Sequence, residues 1–568
     1  MANSTQINIA SRLRESAECV PHQRAVVFPD GYDRSGRAKY THLTFRQLDR
    51  ESDRLARGLC EMGVVPGTRL VLAVPPSVEF IALTFALFKA GAVTVLIDPG
   101  MGRTNIFRCL EEVKPQGFIA VPVVHVIRKM LGLAGAFGLR AWGGFRDARY
   151  NVTLGRRPFW DGITYEQLLG AEWTPFDIAE TVSTDPAAII FTSGSTGPPK
   201  GVLYEHGMFD AQVELLRDFF GIEPGEIDLA AFPLFALFNS GMRVTTVIPD
   251  MNPTRPAEVD PRKIVQAIED HGATQAFGSP ALWNRVGRYC EQEGITLPSL
   301  RRILSSGAPV PIHVLARMRK ALTRPDADMH TPYGATESLP VCSISGREVL
   351  DRTAPLSSDG AGTCVGVPFP QIEVQVIAIT DGPIEDISKT CELSRGEIGE
   401  IIVSGPSTTR EYYARPQATS LAKIRDGERF WHRMGDVGYI DEAGALWFCG
   451  RKAHIVEAAH GRMFTIPCEA VVNGHQSIYR SALVGLGASG EQMPVIVAEP
   501  ESGAFPRSRA GQDKLKGELL EIAQANPITQ PIKTVLLHPS LPVDIRHNVK
   551  IFREKLVPWA VSELAKHS

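Results

Sequence analysis

Short apolar runs alternate with runs whose apolar residues recur at helical spacing through most of this chain. One amphipathic run begins on a capping-box pattern, Thr44-Phe-Arg-Gln47, and a later one has Asp260 as N-cap, Pro261 in its first turn and Gly272 at its end. Alternation of this kind predicts an α/β fold with largely parallel sheets. The predicted elements are helices 44–62, 78–89, 261–272 and 282–293, and strands 70–74, 92–97, 187–191, 274–277 and 302–304.

The pattern changes at about Gly362, where short alternating runs such as 372–379 and 399–403 replace the helical spacing. Alternation of period two is typical of antiparallel or barrel-like sheets. A turn-rich stretch, 441–451, then precedes a mixed tail. We therefore predict a large N-terminal domain, 1–450, with parallel-rich α/β sheets and a barrel-like subdomain, and a small α+β C-terminal domain, 451–568.

The apolar stretch 118–142 is interrupted by charged and histidine side chains, and no run of about 18 apolar residues occurs. We interpret this stretch as a buried strand followed by a helix, and docking to a membrane surface or a partner stays open as the alternative. The sequence therefore does not indicate an integral membrane protein.

Composition narrows the class of protein further. A hydrophobic fraction of 44% and a charged fraction of 22% are typical of a globular chain and exclude a mainly disordered one. Sixty Lys and Arg against 63 Asp and Glu give a net charge of −3, so there is no global basic field for nucleic acid. Nine scattered cysteines and a polar start without a signal peptide favour a cytoplasmic protein with reduced thiols.

The strongest local signal is the segment 191–201, FTSGSTGPPKG, which directly follows the apolar run 187–191. Its glycines let the backbone approach a bulky ligand, while its hydroxyls and Lys200 suit a polyphosphate. The segment lacks the order of a Walker A loop and of a nucleophile elbow. A plain Ser/Gly linker is the alternative, and the position after a strand argues against it.

This segment closely resembles the phosphate loop of the adenylate-forming superfamily, which includes acyl-CoA synthetases, adenylation domains and luciferase. Further segments resemble the family's other motifs, in the family's order: Ser306-Gly-Ala-Pro309, Tyr333-Gly-Ala-Thr-Glu337, Met434-Gly-Asp-Val-Gly-Tyr439 and Gly450-Arg451. The resemblance implies an AMP-forming ligase that uses ATP and Mg²⁺, with a mobile C-terminal lid.

The resemblance also implies roles for individual residues. Tyr333 would stack on adenine, Thr336 would bind the α-phosphate and Glu337 would hold Mg²⁺. Asp436 would accept hydrogen bonds from the ribose hydroxyls, and Arg451 would contact ribose and phosphate. The remaining nucleotide-binding residues implied are Thr192, Ser193, Gly194, Ser195, Thr196, Gly197, Lys200, Gly307, Ala308, Pro309 and Gly334.

The catalytic lysine that the family carries near its C-terminus is matched by Lys550. The family pattern P-x-T-x-x-G-K is incomplete here, because Val549 replaces the glycine and Pro542 lies two residues too far away. A surface lysine is the alternative interpretation of Lys550.

Two departures bear on the second half of the reaction. Ala453 stands where the family commonly has a hinge Asp or Lys, and Phe232-Pro-Leu-Phe-Ala-Leu-Phe238 has no histidine where many acyl-CoA synthetases have one. Both put the thiolation step of CoA ligases in doubt. These and other segments resemble the β-lactone synthetases of olefin biosynthesis over nearly the whole chain: 250–263, 278–283, 331–341, 360–366, 432–439, 446–454 and 542–556.

This closer resemblance implies an enzyme that adenylates a long-chain 2-alkyl-3-hydroxy fatty acid and cyclises it to a β-lactone, releasing AMP and diphosphate. It also implies association with other enzymes of the same pathway or with a membrane surface. A long-chain fatty-acyl-CoA or fatty-acyl-AMP ligase, and a non-catalytic nucleotide-binding relative, are the alternatives. For the lactonisation step the sequence identifies no base: His206 lies where relatives often carry a structural histidine, and its role as a catalytic base is the less favoured alternative. Arg546, His547 and Asn548 are candidate contacts for this step.

Overall fold

The computed structural model describes residues 6–136, 148–155, 162–170, 172–192, 198–232, 234–543 and 551–566, with side chains omitted at 130–136 and 192. The helices are α1 (Ser11–Cys19), α2 (Phe45–Glu61), α3 (Val78–Lys89), α4 (Arg103–Val113), α5 (Pro122–Ala136), α6 (Tyr165–Leu169), α7 (His206–Phe220), α8 (Phe235–Met242), α9 (Pro261–His271), α10 (Pro280–Glu293), α11 (Ile312–Ala321), α12 (Gly346–Glu348), α13 (Ala354–Leu356), α14 (Pro416–Ala422), α15 (Thr465–Asn473), α16 (Arg509–Ala525) and α17 (Arg553–Ala565).

The strands fall into five sheets. They are β1 (Arg24–Tyr32), β2 (Ala38–Thr44), β3 (Arg69–Ala73), β4 (Val93–Ile97), β5 (Gly117–Ala120), β6 (Tyr150–Thr153), β7 (Ile163–Thr164), β8 (Pro186–Thr192), β9 (Lys200–Glu205), β10 (Ile227–Ala230), β11 (Thr245–Val247), β12 (Gln275–Gly278), β13 (Arg302–Ser305), β14 (Asp328–His330), β15 (Tyr333–Ala335), β16 (Ser338–Ser343), β17 (Thr363–Pro368), β18 (Glu373–Ile377), β19 (Gly399–Ser404), β20 (Lys423–Asp426), β21 (Arg429–Ile440), β22 (Leu446–Arg451), β23 (Val456–Ala458), β24 (Gly461–Met463), β25 (Ile478–Leu486), β26 (Met493–Pro500) and β27 (Thr534–Leu537).

Two seven-stranded sheets are parallel except at one edge each. Their strand orders are β7-β6-β5-β3-β4-β8-β9 and β14-β13-β12-β10-β11-β1-β2, and among the described residues their antiparallel pairs are β8–β9 and β1–β2. Helices follow most of these strands, as the βαβ rule requires of parallel pairs. The predicted parallel-rich α/β fold is confirmed.

Local signals explain why the predicted helices of this part form. The Thr44 side chain accepts from Gln47 N while the Gln47 side chain accepts from Thr44 N, which completes the capping box of α2. Asp260 caps α9 and Gly272 ends it with φ of 60°, a left-handed conformation that favours glycine. α3 is apolar on nearly all sides, as expected for a helix that is buried all round. Lys89 at its end also has no exposed surface.

An antiparallel sheet begins at residue 333, where the alternating pattern is found. Its main order is β15-β16-β17-β22-β21-β19-β18, with β20 added on β21. The stretch 441–451, predicted to be rich in turns, is instead a strand from Leu446 onward, because β22 lies between β17 and β21 and buries Leu446 and Trp447. The bond from Gly444 N to Asp441 O belongs to the turn that does occur.

The stretch after Arg451 has apolar clusters of its own. Strands β25, β26 and β27 form a mixed three-stranded sheet, and α15, α16 and α17 accompany it. One cluster there runs from Val456 to Leu537 and another from Ala482 to Ala560. These clusters contain no residue from before β23.

The apolar stretch 118–142 matches the favoured interpretation as far as it is described. β5 is buried and α5 follows it as far as Ala136, with His125 Nε2 donating to Val152 O at 2.9 Å. Val123 and Ile127 lie exposed on α5. None of the helices in the described ranges has the length and apolarity needed to cross a bilayer.

Candidate nucleotide and metal site

Two loops that carry predicted residues leave the same end of one parallel-rich sheet. β13 and β14 are parallel with Leu304 opposite His330, so the 306–309 loop starts beside the turn that leads to Tyr333. Gly307 there has φ of 91°, which a residue with a side chain rarely adopts. Beyond it, Ala335 pairs with Ser338, which leaves 336 and 337 as a two-residue hairpin loop. The sequence-predicted adenine and phosphate residues therefore lie at one edge.

Tyr333, Asp436 and Arg451 form one bonded group. The Tyr333 hydroxyl donates to Asp436 Oδ2 at 2.6 Å, and Arg451 Nη1 lies 2.8 Å from Asp436 Oδ1. Asp436 in β21 pairs directly with Arg451 at the end of β22, which explains why residues of two separate motifs meet. Arg451 Nη1 also donates to Met434 O at 3.3 Å.

The Asp436 carboxylate is buried but not fully hydrogen-bonded. Only 3% of the residue is exposed, and burial raises its pKa although Arg451 and the Tyr333 hydroxyl favour the charged form. Arg451 lies close to Oδ1 but off the hydrogen-bonding direction, so Oδ1 has no directed donor among the described residues. A buried acceptor in this condition suits a ligand with hydroxyl donors, such as a ribose.

Glu337 and Thr336 are held by two tyrosines from other elements. The Tyr412 hydroxyl donates to Glu337 Oε1 at 2.7 Å, and the Tyr204 hydroxyl donates to Thr336 O at 2.6 Å. Lys200 at the start of β9 has its Nζ 4.8 Å from the centre of the Tyr412 ring. The predicted phosphate lysine and the predicted metal carboxylate thus share Tyr412 as a neighbour.

The residues around Glu337 fit a Mg²⁺ ion bound together with phosphates. Glu337 Oε2 has no hydrogen-bond donor among the described residues, and no three His, Cys, Asp or Glu side chains converge there or elsewhere in those ranges. Mg²⁺ is commonly bound by one or two carboxylates with phosphates and water rather than by an all-protein cage. Glu337 is the residue that would hold it.

Lys423 and His432 are two buried residues of this region that the sequence did not single out. They lie opposite each other in β20 and β21. Lys423 donates to Thr409 Oγ1 at 3.0 Å, and burial lowers its pKa to about 7. The His432 Nδ1–H donates to Ala422 O at 3.2 Å, and burial lowers its pKa. Lys423 lies in none of the family-like segments, and His432 begins the segment 432–439 without a role assigned to it; the strand register brings the two together.

Some predicted site residues lie outside the described part of the chain. These are Ser193, Gly194, Ser195, Thr196, Gly197 and Lys550, together with Arg546, His547 and Asn548. Thr192 is described only by its backbone, which pairs with Lys200 across β8 and β9. Val543 and Ile551, the described residues on either side of 544–550, pair in an isolated antiparallel bridge.

His206, the candidate base, is placed in the core instead of the site. The residue has no exposed surface, its Nδ1 accepts from Ile9 N at 3.3 Å, and burial lowers its pKa to about 4. Its ring meets Phe88 edge-on with centroids 5.9 Å apart. These contacts give His206 a structural role at the start of α7.

Together, the fold and these residues make a mixed α/β protein with a candidate nucleotide site at one edge of its sheets. The family model described as "AMP-binding enzyme" matches residues 13–413, and the chain belongs to this family. It is an AMP-forming ligase, and ATP is its nucleotide substrate.

The chain is also similar to individual proteins along its whole length. It is 47% identical over 570 residues to an olefin beta-lactone synthetase of Stenotrophomonas maltophilia, covering 99% of each chain. It is 45% identical over 567 residues to the protein of the same description from Xanthomonas campestris, covering 99% of this chain and 98% of the relative. The amide bond synthetase McbA of Marinactinospora thermotolerans shares the fold, with a TM-score of 0.76 at 23% identity over 97% of this chain and 99% of that one.

Proposed function

We propose that this protein is an ATP-dependent β-lactone synthetase that acts on a long-chain 2-alkyl-3-hydroxy fatty acid. The observation that carries the proposal is the identity of 45–47%, over almost the whole chain, to two proteins described as olefin beta-lactone synthetases. The arrangement of Tyr333, Asp436 and Glu337 supports the nucleotide half of the reaction, since Tyr333 is hydrogen-bonded to Asp436 and Glu337 lies in the hairpin loop that follows the Tyr333 strand.

In the first half-reaction, a carboxylate oxygen of the substrate attacks the α-phosphorus of ATP. A new O–P bond forms, the bond to the bridging oxygen breaks, and diphosphate leaves. Asp436 would hold the ribose, Lys200 would neutralise the departing phosphates and Lys550 would align the substrate carboxylate. Mg²⁺ held by Glu337 would offset the negative charge of the diphosphate. The protein's contribution is positioning and charge compensation.

In the second half-reaction, the 3-hydroxyl of the same substrate attacks the carbonyl carbon of the acyl-adenylate. A C–O bond closes the four-membered ring, the bond from carbonyl carbon to the AMP oxygen breaks, and the hydroxyl proton passes to solvent water. AMP leaves with the electron pair of that bond. Because the nucleophile and the electrophile belong to the same molecule, no thiol has to enter. The high effective molarity of the tethered hydroxyl makes a binding site for a second substrate unnecessary.

We further propose that residues 1–450 and 451–568 act as two functional parts, body and lid. The separate apolar clusters after Arg451 support this division. Ala453 at the hinge and the histidine-free segment 232–238 suit an enzyme that does not need to accept a thiol.

The test of the function is incubation with ATP, Mg²⁺ and a racemic 2-alkyl-3-hydroxy fatty acid, with and without CoA. We expect AMP release and a β-lactone, detected by mass spectrometry, in the absence of CoA. AMP release that strictly depends on CoA would instead identify an acyl-CoA ligase. Nucleotide binding without AMP release under either condition would contradict both enzymatic assignments.

A variant tests the assignment of Lys550. Lys550→Ala should abolish exchange of labelled diphosphate into ATP while leaving the affinity for AMP within about twofold, because under this proposal the lysine would act on the reacting carboxylate rather than on the nucleoside. Full exchange activity in this variant would show that another group aligns the carboxylate.

A further inference from the structure

The backbone carbonyl of Glu337 receives two hydrogen bonds from one residue. Thr409 N and Thr409 Oγ1 both donate to Glu337 O, each at 2.9 Å. Thr409 has no exposed surface. Glu337 is therefore fixed at its main chain by Thr409 and at its carboxylate by Tyr412.

The Thr409 hydroxyl has a donor of its own behind it. Lys423 Nζ lies 3.0 Å from Thr409 Oγ1, and among the described residues this oxygen is its one hydrogen-bond acceptor. Since Lys423 donates to the hydroxyl, the hydroxyl proton is free to point at Glu337 O. The three groups form a directed chain, in which each hydrogen bond polarises the next.

Burying an amine for packing alone is costly. Lys423 is 6% exposed, with no carboxylate within ion-pairing distance among the described residues, and burial disfavours its charged form. An apolar side chain of similar length would fill the same space without that penalty. The hydrogen bond to Thr409, together with the electrostatic attraction of the ammonium to the Glu337 carboxylate, distinguishes lysine from such a side chain here.

We propose that Lys423 and Thr409 are positioning residues that orient Glu337 for the metal–nucleotide complex through the chain Lys423 Nζ–H to Thr409 Oγ1–H to Glu337 O. The inference rests on the assignment of Glu337 to Mg²⁺ under the proposed function. A second layer of hydrogen bonds around a metal ligand typically changes metal affinity by about 10- to 100-fold when it is removed.

The test measures binding without turnover. The affinity of the full-length protein for α,β-methylene-ATP, which cannot form an adenylate, is measured by calorimetry with Mg²⁺ and again with EDTA. The ratio of the two dissociation constants reports the coupling between metal and nucleotide. The metal-free value also shows that each variant is folded and competent to bind.

Four variants and one control define the expected result. Thr409→Val should reduce the coupling about tenfold, and Thr409→Ser should restore it because the hydroxyl returns. Lys423→Met should reduce the coupling by a smaller factor, and adding it to Thr409→Val should change nothing more. Thr408→Val is the matched control. It also removes a buried hydroxyl, one that lies 3.0 Å from Ser338 Oγ and makes no hydrogen bond to Glu337.

Glu337→Gln distinguishes an error in the metal assignment of Glu337 from an error in the Lys423–Thr409–Glu337 hydrogen-bond chain, which we call the relay. If Glu337→Gln leaves the coupling unchanged, the assignment of Glu337 to the metal is wrong. If Glu337→Gln removes the coupling but Thr409→Val does not, the relay is wrong while the function stands. Additive effects of Lys423→Met and Thr409→Val would also overturn the relay, because they would show that Lys423 acts independently of Thr409.

Discussion

The hydroxyl of Tyr333 donates a hydrogen bond of 2.6 Å to Oδ2 of Asp436, although the two residues lie 103 positions apart. The resemblance to adenylate-forming enzymes gives these residues separate tasks, one at adenine and one at ribose. In the structure they are hydrogen-bonded to each other, so the tyrosine that is predicted to stack on the base also orients the carboxylate. Loss of the Tyr333 hydroxyl should therefore weaken the binding of the ribose.

Tyr333→Phe should weaken the recognition of ribose while keeping that of adenine. The phenyl ring remains, but the buried Asp436 carboxylate loses a directed donor, at a cost of about 1–3 kcal/mol. We expect the preference for AMP over an analogue without ribose hydroxyls to fall by about tenfold, measured by calorimetry. Tyr439→Phe is the control, since its hydroxyl bonds Ala361 O at 3.0 Å, away from Asp436. An unchanged preference in Tyr333→Phe would contradict the coupling.

Asp436 should make nucleotide binding sensitive to acid at a higher pH than an ordinary aspartate would. Burial raises its pKa above 3.8, so the folded protein takes up this proton before the unfolded chain does as pH falls. Its contribution to folding stability is thus largest in acid and is lost as pH rises through the folded-state pKa. Its ability to accept hydrogen bonds from ribose instead requires the ionised carboxylate, so it is greatest above that pKa and is lost as pH falls.

The corresponding measurement is the dissociation constant of AMP between about pH 7 and pH 4. The parent protein should bind progressively more weakly toward the acidic end. Asp436→Asn should bind about 10- to 100-fold more weakly at neutral pH, with little of this pH dependence. Parallel curves for the two proteins would assign the pH dependence to another group.

Much of this molecule follows from short-range sequence signals, and the site follows only in part. The capping box at Thr44 and the stop at Gly272 are local, so the bounds of α2 and α9 were predictable to within about a residue or two. Tyr333, Asp436 and Arg451 were found because each lies in a dense motif. Tyr412 and Lys423 were not, because no local pattern relates them to Glu337: Tyr412 bonds Glu337 from 75 positions away, and Lys423 is linked to it by hydrogen bonds through Thr409.

Lys423→Met should stabilise the protein most strongly at and below neutral pH. The folded-state pKa of Lys423 is lowered to about 7, below the ordinary 10.5, so the unfolded chain binds more protons between these values. The stability contributed by the neutral amine is present above pH 10.5 and is lost as pH falls through about 7. The parent's free energy of unfolding should therefore rise with pH in this window, by at most about 1.4 kcal/mol per unit.

Urea unfolding at several pH values between these limits measures that slope. The methionine variant should be more stable than the parent near neutrality, and the difference should shrink as the solution becomes alkaline. Lys89→Met is a useful contrast, because the Lys89 ammonium is paired with Asp49 and Asp53 and its removal leaves buried carboxylates. That variant should be destabilised. A Lys423→Met protein less stable than the parent near neutral pH would contradict the inferred cost of burial.

His206→Asn should change the acid stability of the protein and leave adenylation unaffected. The asparagine Oδ1 can accept from Ile9 N as the imidazole Nδ1 does, so the start of α7 keeps its contact. Burial lowers the pKa of His206 from 6.5 to about 4. Between these pH values the unfolded chain binds a proton at this residue and the folded chain does not, so the free energy of unfolding of the parent falls as pH falls through this window. Asparagine does not titrate, and the variant should lack this part of the slope. The measurements are urea unfolding from about pH 7 to pH 4 and, at neutral pH, both diphosphate exchange and lactone formation. A large loss of lactone formation with an unchanged stability profile would return His206 to the role of catalytic base.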